Sequence, residues 1–406
     1  MKALYFLLPV FFLSSLLHWS CQSAHAKKTK SAPYKYVLVI GVDGMSPDGI
    51  RQANTPNLDA LIEGGAFTER ARAVLPSSSS PNWASMIMGA GPEQHGITSN
   101  AWEKDRHQLS PVTQGPSAIF PTIFSLVKQQ IPTGTTAAIY DWKGFGRLFE
   151  KDMVDYDQHG EDEYETTQLA VAHLKSAKPS FTFVHLDHVD HAGHAHQHGS
   201  PEYYASVEVA DSLIGAIVQA TKDAGMYKNM LLIISADHGG KGYGHGGESL
   251  AEMEIPFLLA GPNVKSQHTI LQSVFTYDNA ATAAYALGLK MPQAWIGRPV
   301  MSAFVGERLA DDDIIQPILP TAIIVPTDDS IERKNGVYRA KKISVKCIFY
   351  VPGATLRYTL DGSEPGPESP IYTEAFPLSK TTTVKARAYK ADIAQGPISS
   401  QTFEIK

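Results

Sequence analysis

Tyr36-Val37-Leu38-Val39-Ile40-Gly41-Val42 is an unbroken apolar run that ends in the carboxylate of Asp43. Strands that are buried on both faces of a parallel sheet have this composition. A carboxylate at the C-terminal end of such a strand lies where α/β sheets place their ligand sites. The run therefore predicts a buried parallel strand with Asp43 at a functional edge of the sheet.

Further apolar runs of the same kind follow, and amphipathic helical segments separate them. The predicted strands are 136–140, 181–186, 231–235 and 255–260, and the predicted helices are 55–65, 165–175 and 201–224. Strands that alternate with helices make a mostly parallel sheet covered by helices on both faces. The sequence therefore predicts an α/β fold for residues 33–310.

The pattern changes near residue 311. Asp311-Asp312-Asp313 and two nearby prolines predict a linker over 311–322. Beyond it, segments such as Thr383–Tyr389 alternate apolar and polar residues, and Asp361-Gly362 is a strong hairpin signal. We expect a small C-terminal β-sandwich over 323–406.

The N-terminus has the pattern of a signal peptide over residues 1–26. Lys2 precedes an apolar stretch, and Ala24-His25-Ala26 is typical of a cleavage site. A membrane-spanning helix and lipid attachment at Cys21 are the alternatives, but the stretch is short for a span and the residues before Cys21 suit lipid attachment poorly. The mature chain is expected to lack a transmembrane segment and to be exported to the periplasm or the cell surface.

Composition excludes some partners and internal cross-links. The chain of 406 residues has a formal net charge of −6, so it lacks the basic surface that bulk nucleic-acid binding requires. Its two cysteines cannot form a disulfide framework. In an exported protein of this composition, a bound metal is the expected internal cross-link.

Four consecutive serines, Ser77 to Ser80, stand before Pro81 and an apolar run that closes on Gly89. Proline favours the first turn of a helix and glycine favours the position after its last turn. The stretch therefore predicts a loop of hydroxyl groups at the N-terminus of a short helix, where an anion or an alkoxide would be stabilised. A serine-rich surface turn is the alternative.

Aspartates and histidines cluster after the predicted strands. They are suitable for two divalent cations with nitrogen and oxygen ligands, and zinc fits such a set. Two such ions can hold the attacking and leaving oxygens of a displacement at phosphorus, and one of the four serines would supply the nucleophile. The candidate ligands are Asp43, Asp190, His194, Asp237, His238 and His245.

Six ordered segments between residues 35 and 304 resemble the type I phosphodiesterase/nucleotide pyrophosphatase branch of the alkaline phosphatase superfamily. The segments are Val39–Gly44, Ser79 placed two before Pro81-Asn82, Pro92–Ile97 leading to Asn100, Asp190–His194, Asp237–Gly239 and His245-Gly246. The resemblance implies a two-metal hydrolase of phosphodiester or pyrophosphate bonds acting on a small phosphate ester, and the predicted signal peptide makes it an exported one.

The resemblance also implies roles for individual residues. One zinc would be held by Asp190, His194 and His245. The second would be held by Asp43, Asp237 and His238, and Ser79 would join that set as a ligand. Ser79 would be the nucleophile that forms a covalent phosphoseryl intermediate. Asn100 would donate its amide hydrogen to a non-bridging phosphoryl oxygen.

Departures from the family pattern leave the substrate open. The branch ordinarily has threonine where Ser79 stands, and His245 follows His238 closely, where nucleotide enzymes insert a long segment. A phosphomonoesterase is the enzymatic alternative, and a non-catalytic surface-binding protein with a glycan-binding tail is the alternative from another class. A sulfatase would need Arg near the position of Trp83, which disfavours that reaction.

Several neighbouring residues are expected to act outside the ligand sets. His95 is predicted to be structural and Asp187 to orient a ligand. The roles of Trp142, Lys143 and Arg147 stay open. The remaining histidines of the strand-end segment are expected to support the ligands or to lie on the surface; they are His185, His188, His191, His196 and His198.

The C-terminal segment has a resemblance of its own. Leu356–Pro365, Ser369–Tyr372 and Thr381–Ala388 resemble the chitobiase/β-hexosaminidase C-terminal type of β-sandwich. We identify no cluster of catalytic residues in this segment. The resemblance implies a structural accessory module, with carbohydrate contact as a further possibility.

Overall fold

A computed structural model describes residues 33–307, 319, 321–327, 333–334, 337–349, 351, 353–391 and 395–406. The predicted signal peptide, Cys21 and most of the predicted linker lie outside these residues. Within the described ranges, no helix is long and apolar enough to span a bilayer.

An eight-stranded sheet organises the larger part of the chain. Its strand order is β4-β3-β5-β1-β6-β7-β2-β8. The strands are β1 Tyr36–Val42, β2 Ala66–Arg72, β3 Thr136–Tyr140, β4 Tyr156–His159, β5 Phe181–Leu186, β6 Met230–Ser235, β7 Glu254–Ala260 and β8 His268–Thr269.

Strand β1 lies at the centre of the parallel part of the sheet. It pairs in parallel with β5, where Val42 is opposite Leu186, and with β6, where Gly41 is opposite Ser235. All seven residues of β1 are buried, as the apolar run predicts. Since these three strands end in register, the residues that follow them meet at one edge of the sheet.

Strand β7 departs from the expected parallel arrangement. Its apolar run resembles the others, but β7 is antiparallel to both β6 and β2. A parallel return requires a crossover, usually through a helix. Residues 236–253 contain only one short helix at their end and otherwise form a loop, so the chain turns back beside β6 instead of crossing over.

Helices pack in two groups against the sheet, which confirms the layered α/β prediction. The long α8 contacts α1, α2, α6 and α7, whereas α3 contacts α4, α5 and α10. The helices are α1 Pro47–Gln52, α2 Pro56–Glu63, α3 Ser79–Met88, α4 Pro92–His95, α5 Ile123–Gln130, α6 Glu163–Ala177, α7 His188–His196, α8 Pro201–Asp223, α9 Leu250–Met253 and α10 Asp278–Ala286.

The C-terminal segment forms two small sheets around a separate apolar core, as expected for a β-sandwich. Val345, Val384 and Phe403 are completely buried there. The sheets have the orders β10-β11-β16-β15-β13 and β14-β12-β9. The strands are β9 Ile323–Pro326, β10 Arg333–Lys334, β11 Val337–Tyr338, β12 Ile343–Ile348, β13 Thr355–Thr359, β14 Phe376–Leu378, β15 Thr382–Tyr389 and β16 Ser399–Ile405.

The hairpin predicted at Asp361-Gly362 forms with a longer loop than this short signal suggests, and Arg357 pairs antiparallel with Ile371. Gly362 adopts a positive φ of 83°, so a turn forms there. However, the chain returns beside β13 only at residues 370–372, where the amide of Tyr358 donates to the Pro370 carbonyl at 3.0 Å. Asp361 instead accepts from the Ser363 amide at 3.0 Å, which makes a local turn within a wider loop.

Candidate active site

Helix α3 begins at Ser79, two residues before the proline that was expected to start it. Ser78 is the N-cap residue, and its side chain makes no capping hydrogen bond. The side-chain amide of Asn82 fixes the loop before the helix. It donates to the carbonyls of Ser78 at 2.9 Å and Pro76 at 3.1 Å. The serine loop is therefore held in place from within the helix. Gly89 ends α3 in the left-handed conformation, as predicted.

Ser77 has a structural task that separates it from the other serines. Its hydroxyl donates to the Gly247 carbonyl at 2.6 Å and accepts from the Gly246 amide at 3.1 Å. Its carbonyl lies 2.9 Å from Nδ1 of His245. Ser77 thus fixes the loop that carries a candidate metal ligand.

Ser79 and Ser80 lie differently at the N-terminus of α3. Oγ of Ser79 lies 3.4 Å from Nε2 of His238, beside the candidate metal ligands. Ser80 donates its amide to Oδ1 of Asn100 at 2.7 Å, and its hydroxyl lies 3.4 Å from the guanidinium of Arg147. Of the four serine hydroxyls, that of Ser79 has contact with a predicted ligand.

Asp190, His194 and His245 form the first group that could hold a cation. Helix α7 places Asp190 and His194 one turn apart, with His194 Nε2 3.1 Å from Oδ2 of the aspartate. His245 comes from the loop after β6, and its Nε2 lies 3.8 Å from the same oxygen. The possible ligand atoms of the three residues all lie within 4.8 Å of one another.

Asp43, Asp237 and His238 form the second group. Asp43 follows β1, and the other two residues follow the neighbouring strand β6. Nε2 of His238 lies 3.4 Å from Oδ1 of Asp43 and 3.1 Å from Oδ2 of Asp237. All three side chains are buried, so both groups bring together the residues that the sequence resemblance assigned to them.

The two groups form one continuous centre. The rings of His238 and His245 stack with their centroids 3.7 Å apart. Gly44, which has a φ of 66°, donates its amide to Asp237 at 3.2 Å. A Cβ at Gly44 would lie only 2.9 Å from the Cα of Asp190, so a larger residue would push the groups apart.

The three candidate histidine ligands share one hydrogen-bond pattern. Each Nδ1 faces a main-chain carbonyl, which can only accept, so each Nδ1 carries a hydrogen and leaves Nε2 for a cation. The partners are the carbonyls of Tyr243 for His194, Gly239 for His238 and Ser77 for His245, at 2.8, 2.8 and 2.9 Å.

The carboxylates also fit divalent cations. Oδ1 of Asp43, Oδ1 of Asp190 and Oδ2 of Asp237 are buried and lack a hydrogen-bond partner. Leaving a buried acceptor unpaired costs about 1–3 kcal/mol, and more for a charged group. Cations bound to these oxygens would remove that cost, and the mixed imidazole and carboxylate donors are those that zinc takes.

The charges within the centre shift several pKa values. Burial, followed by the charges of Asp43 and Asp190, raises the pKa of Asp237 well above its usual value. The hydrogen bond to Asp190 raises the pKa of His194 to about 9, against the opposing effect of its partial burial. Three close carboxylates therefore repel one another, as is common at functional sites.

The side-chain oxygen of Asn100 contacts the start of α3. This Oδ1 accepts from the Ser80 amide at 2.7 Å, which leaves the side-chain NH2 group to donate elsewhere. Arg147 holds this loop, because its guanidinium donates to the Asn100 carbonyl and to Glu103 at 2.8 Å. Arg147, whose role the sequence left open, thus contacts the loop that carries Asn100.

Trp83, His185 and Asp141 support the centre, and the sequence assigned a ligand role to none of them. Oδ2 of Asp43 receives the indole Nε1 of Trp83 at 3.0 Å and lies 3.4 Å from Nε2 of His185. Asp141 holds the other nitrogen of His185 at 3.2 Å. Although burial opposes protonation, these two carboxylates raise the pKa of His185 to about 10.

The remaining histidines divide as expected between the interior and the surface. His191 and His196 are exposed. His198 lies 3.6 Å from Oδ1 of Asp190, and burial lowers its pKa to about 4. His95 is buried, accepts from the Ile97 amide at 3.0 Å and lies 3.0 Å from the Ser85 hydroxyl, in keeping with a structural role.

Comparison with protein families gives two matches. Residues 37–254 match the family "Type I phosphodiesterase / nucleotide pyrophosphatase". Residues 333–400 match the chitobiase/beta-hexosaminidase C-terminal domain. The first match contains every candidate ligand and Ser79, and the second lies within the predicted C-terminal sandwich.

Curated relatives come from the same family. The chain is 24% identical over 329 residues to ectonucleotide pyrophosphatase/phosphodiesterase family member 1 of Mus musculus, covering 74% of this chain and 35% of the relative. It is 25% identical over 221 residues to bis(5'-adenosyl)-triphosphatase ENPP4 of Homo sapiens, covering 52% of this chain and 48% of that protein. The chain thus spans less than half of the length of either relative.

Solved structures show the same fold. Human ectonucleotide pyrophosphatase/phosphodiesterase 5 superposes with a TM-score of 0.57 at 15% identity, covering 67% of this chain and all of that one (100%). A variant of the alkaline phosphatase PafA superposes with a TM-score of 0.56 at 11% identity, covering 67% of this chain and 99% of the other. Since the family match extends over more than half of the 406 residues, the chain belongs to the type I phosphodiesterase/nucleotide pyrophosphatase family.

Proposed function

We propose that the protein is an exported hydrolase of phosphodiester or pyrophosphate bonds that uses Ser79 as its nucleophile beside two divalent cations. The observation that carries the proposal is the position of Ser79, at the N-terminus of α3 with its Oγ 3.4 Å from His238. A nucleophile needs this proximity to groups that lower its pKa.

The roles of the ligands follow from the two groups. Asp190, His194 and His245 would hold one cation, and Asp43, Asp237 and His238 would hold the other with Ser79 beside them. Bound there, zinc would supply a lowered pKa for a coordinated hydroxyl and positive charge next to the phosphate. The buried acceptor atoms of the three aspartates support this assignment.

The chain's own residues would carry out the reaction in two displacements. Oγ of Ser79 attacks phosphorus, the bond from phosphorus to the leaving oxygen breaks, and a phosphoseryl intermediate forms. The N-terminus of α3 favours the negative charge on the phosphoryl oxygens. The NH2 group of Asn100 donates to a non-bridging oxygen, and water then cleaves the bond to Ser79.

A diester suits the protein's own charges around Ser79 better than a monoester does. A monoester dianion carries an additional negative charge, which a free cation would have to match. Arg147, the guanidinium beside Ser80, is already paired with Glu103. The names of the relatives, which are nucleotide pyrophosphatases and a bis(5'-adenosyl)-triphosphatase, agree with this preference.

A direct comparison of two chromogenic substrates tests the proposal. The zinc-loaded protein is expected to hydrolyse bis-p-nitrophenyl phosphate with a higher kcat/KM than p-nitrophenyl phosphate, and chelation is expected to abolish both activities. A large monoester preference would favour the phosphomonoesterase instead. Undiminished turnover after chelation would remove the cations from the mechanism, and inactivity towards every phosphate ester would favour the non-catalytic surface-binding alternative.

The remaining assignments concern export and domains. We assign residues 1–26 to a cleaved signal peptide, 33–310 to the catalytic domain, 311–322 to a linker and 323–406 to an accessory sandwich. The separate apolar cores support the domain division. N-terminal sequencing of the exported protein tests cleavage after Ala26, and a lipid-modified Cys21 would contradict it. Retained activity in a chain that ends at residue 310, together with unchanged binding to insoluble glycans, would assign the sandwich a structural role.

A further inference from the structure

An acidic cavity whose lining residues do not include Ser79 lies beside α6, α7 and α8. It has a volume of about 530 Å³ and is lined by parts of α6, α7, α8 and the residues that follow β3 and β5. None of its lining residues, all of which the structure describes, is Lys or Arg. Its acidic lining residues are Asp141, Glu161, Asp162, Glu163, Asp187 and Glu202.

Three side chains converge within this cavity. Asp141 follows β3, Glu163 starts α6 and His188 starts α7, and one possible ligand atom of each lies within 4.8 Å of the others. Both ring nitrogens of His188 are buried and lack a hydrogen-bond partner of ordinary geometry, although the Ser206 main chain lies close to the ring. Two ring nitrogens that are shielded from solvent and unpaired are costly unless something binds them.

Two acidic neighbours of Glu163, Asp162 and Glu165, already accept main-chain hydrogen bonds at the start of α6. Asp162 caps α6 by accepting from the Glu165 amide at 2.8 Å. Glu165 in turn accepts from the Glu161 amide at 2.7 Å. Glu163 is the member of this acidic run that faces His188 closely enough to share a ligand.

Asp141 connects this group to the candidate active site. Its Oδ1 accepts from the Asp187 amide at 2.9 Å and lies 3.2 Å from Nδ1 of His185. The other nitrogen of His185 lies 3.4 Å from Asp43. Both contacts use the same oxygen of Asp141, so Oδ2 is the atom that can face a cation.

We propose that Asp141, Glu163 and His188 bind a third divalent cation, separate from the two next to Ser79. Two carboxylates and one imidazole are a donor set for a first-row transition cation such as zinc or manganese. The cation would fix Asp141, and through Asp141 and His185 it would hold Asp43 in place. Its role is therefore to position a ligand of the catalytic centre, not to contact the substrate.

Zinc binding to the full mature chain tests the proposal. The protein is stripped with a chelator, dialysed to equilibrium against Zn²⁺ alone, and the zinc bound per chain is counted by mass spectrometry. Glu163→Gln and His188→Gln are expected to bind one equivalent less than the unaltered protein. Glu161→Gln, which removes the same charge from the same cavity, is expected to bind as much as the unaltered protein.

A further variant distinguishes the zinc bound in the centre beside Ser79 from the zinc bound at this site. Asp190→Asn is expected to lower the count independently, so that its loss adds to that of Glu163→Gln in the double variant. An unchanged count in both Glu163→Gln and His188→Gln would overturn the third site, whatever happens at Asp190. Far-UV circular dichroism of the stripped proteins shows whether a variant lost zinc because it lost its fold. If either Glu163→Gln or His188→Gln is unfolded, the zinc count of the other one decides the test.

Discussion

The indole nitrogen of Trp83 donates a hydrogen bond to Oδ2 of Asp43 at 3.0 Å, across 40 positions of sequence. Trp83 is completely buried and its ring lies against Gly41, where a Cβ would come within 2.4 Å of it. Strand β1 therefore needs glycine at this position to admit the indole. The bond occupies one oxygen of Asp43 and leaves Oδ1 towards His238 and a cation.

Replacing the indole tests the importance of this bond. Trp83→Phe keeps most of the packing but removes the donor, so we expect zinc affinity to fall about 10–100-fold. Competition with a chromogenic chelator measures the affinity. Trp295→Phe removes an indole bond of similar length, 3.1 Å to the Pro121 carbonyl, and is expected to bind zinc normally. Equal affinity in the two variants would contradict the role of Trp83.

Asp237 is expected to destabilise the protein when the cations are removed. Burial and the charges of Asp43 and Asp190 raise its pKa well above the usual value, so its ionised form opposes folding near neutral pH. In a chelator, Asp237→Asn should therefore have a Tm equal to or higher than that of the unaltered protein. Differential scanning calorimetry measures this comparison.

Added zinc should reverse that order. Zinc at about 100 times its Kd stabilises a folded protein by about 2.7 kcal/mol per site, so the unaltered protein should gain Tm and Asp237→Asn should gain less. The exposed Asp105→Asn serves as the control and should behave like the unaltered protein in both conditions. A full zinc response in Asp237→Asn would show that this carboxylate is not a ligand.

His95 should make stability depend on pH. Burial lowers the pKa of His95 to about 3, whereas the unfolded side chain titrates near 6.5. Between these values the unfolded state binds more protons, so the free energy of unfolding falls as the pH falls. The contribution of His95 approaches about 1.4 kcal/mol per pH unit within this window.

Urea unfolding with a chelator present, at several pH values between about 4 and 6, measures the contribution of His95. His95→Gln is expected to have a shallower dependence of the free energy of unfolding on pH. The exposed His191→Gln should keep the full slope. Identical slopes for the unaltered protein and His95→Gln would show that His95 titrates normally in the folded state.

Asn100 should act as a donor to the phosphate. Asn100→Asp can still accept the Ser80 amide, whose bond to Oδ1 is 2.7 Å, but a carboxylate cannot donate and repels the substrate. We expect kcat/KM to fall about 10²–10³-fold, as when an oxyanion donor is removed, while Tm stays close to that of the unaltered protein. Steady-state kinetics beside a thermal melt provide the two readouts. Normal kinetics in Asn100→Asp would refute the donor role.

The fold and the ligand groups could be predicted because their signals are local. Each central strand is an apolar run that ends beside Asp or His, and parallel strands bring those ends to one edge. The antiparallel direction of β7 was missed because an apolar run contains no information about direction. The direction of β7 depended on the segment between Ser235 and Glu254. This segment is a loop that carries part of the candidate site, whereas a parallel β7 would need a crossover helix there.

The contacts of the supporting residues could not be predicted because they span long stretches of sequence. Trp83 lies in an apolar run typical of the core, yet its indole donates to Asp43. His185 was expected to support a ligand or to lie on the surface, but the sequence did not indicate that its partner is Asp43. The start of α3 was placed at Pro81 because proline favours the first turn. The structure starts the helix at Ser79, which puts the candidate nucleophile within the first turn.

The most direct test of the account is the kcat/KM of Ser79→Ala beside Ser78→Ala, measured on bis-p-nitrophenyl phosphate with zinc present. Ser78 makes no side-chain capping bond, so its loss should leave turnover within about a factor of 10 of normal. Ser79→Ala should lose activity by on the order of 10³-fold or more while retaining its bound zinc at the histidines. Near-normal turnover in Ser79→Ala would contradict the assignment of Ser79 as the nucleophile.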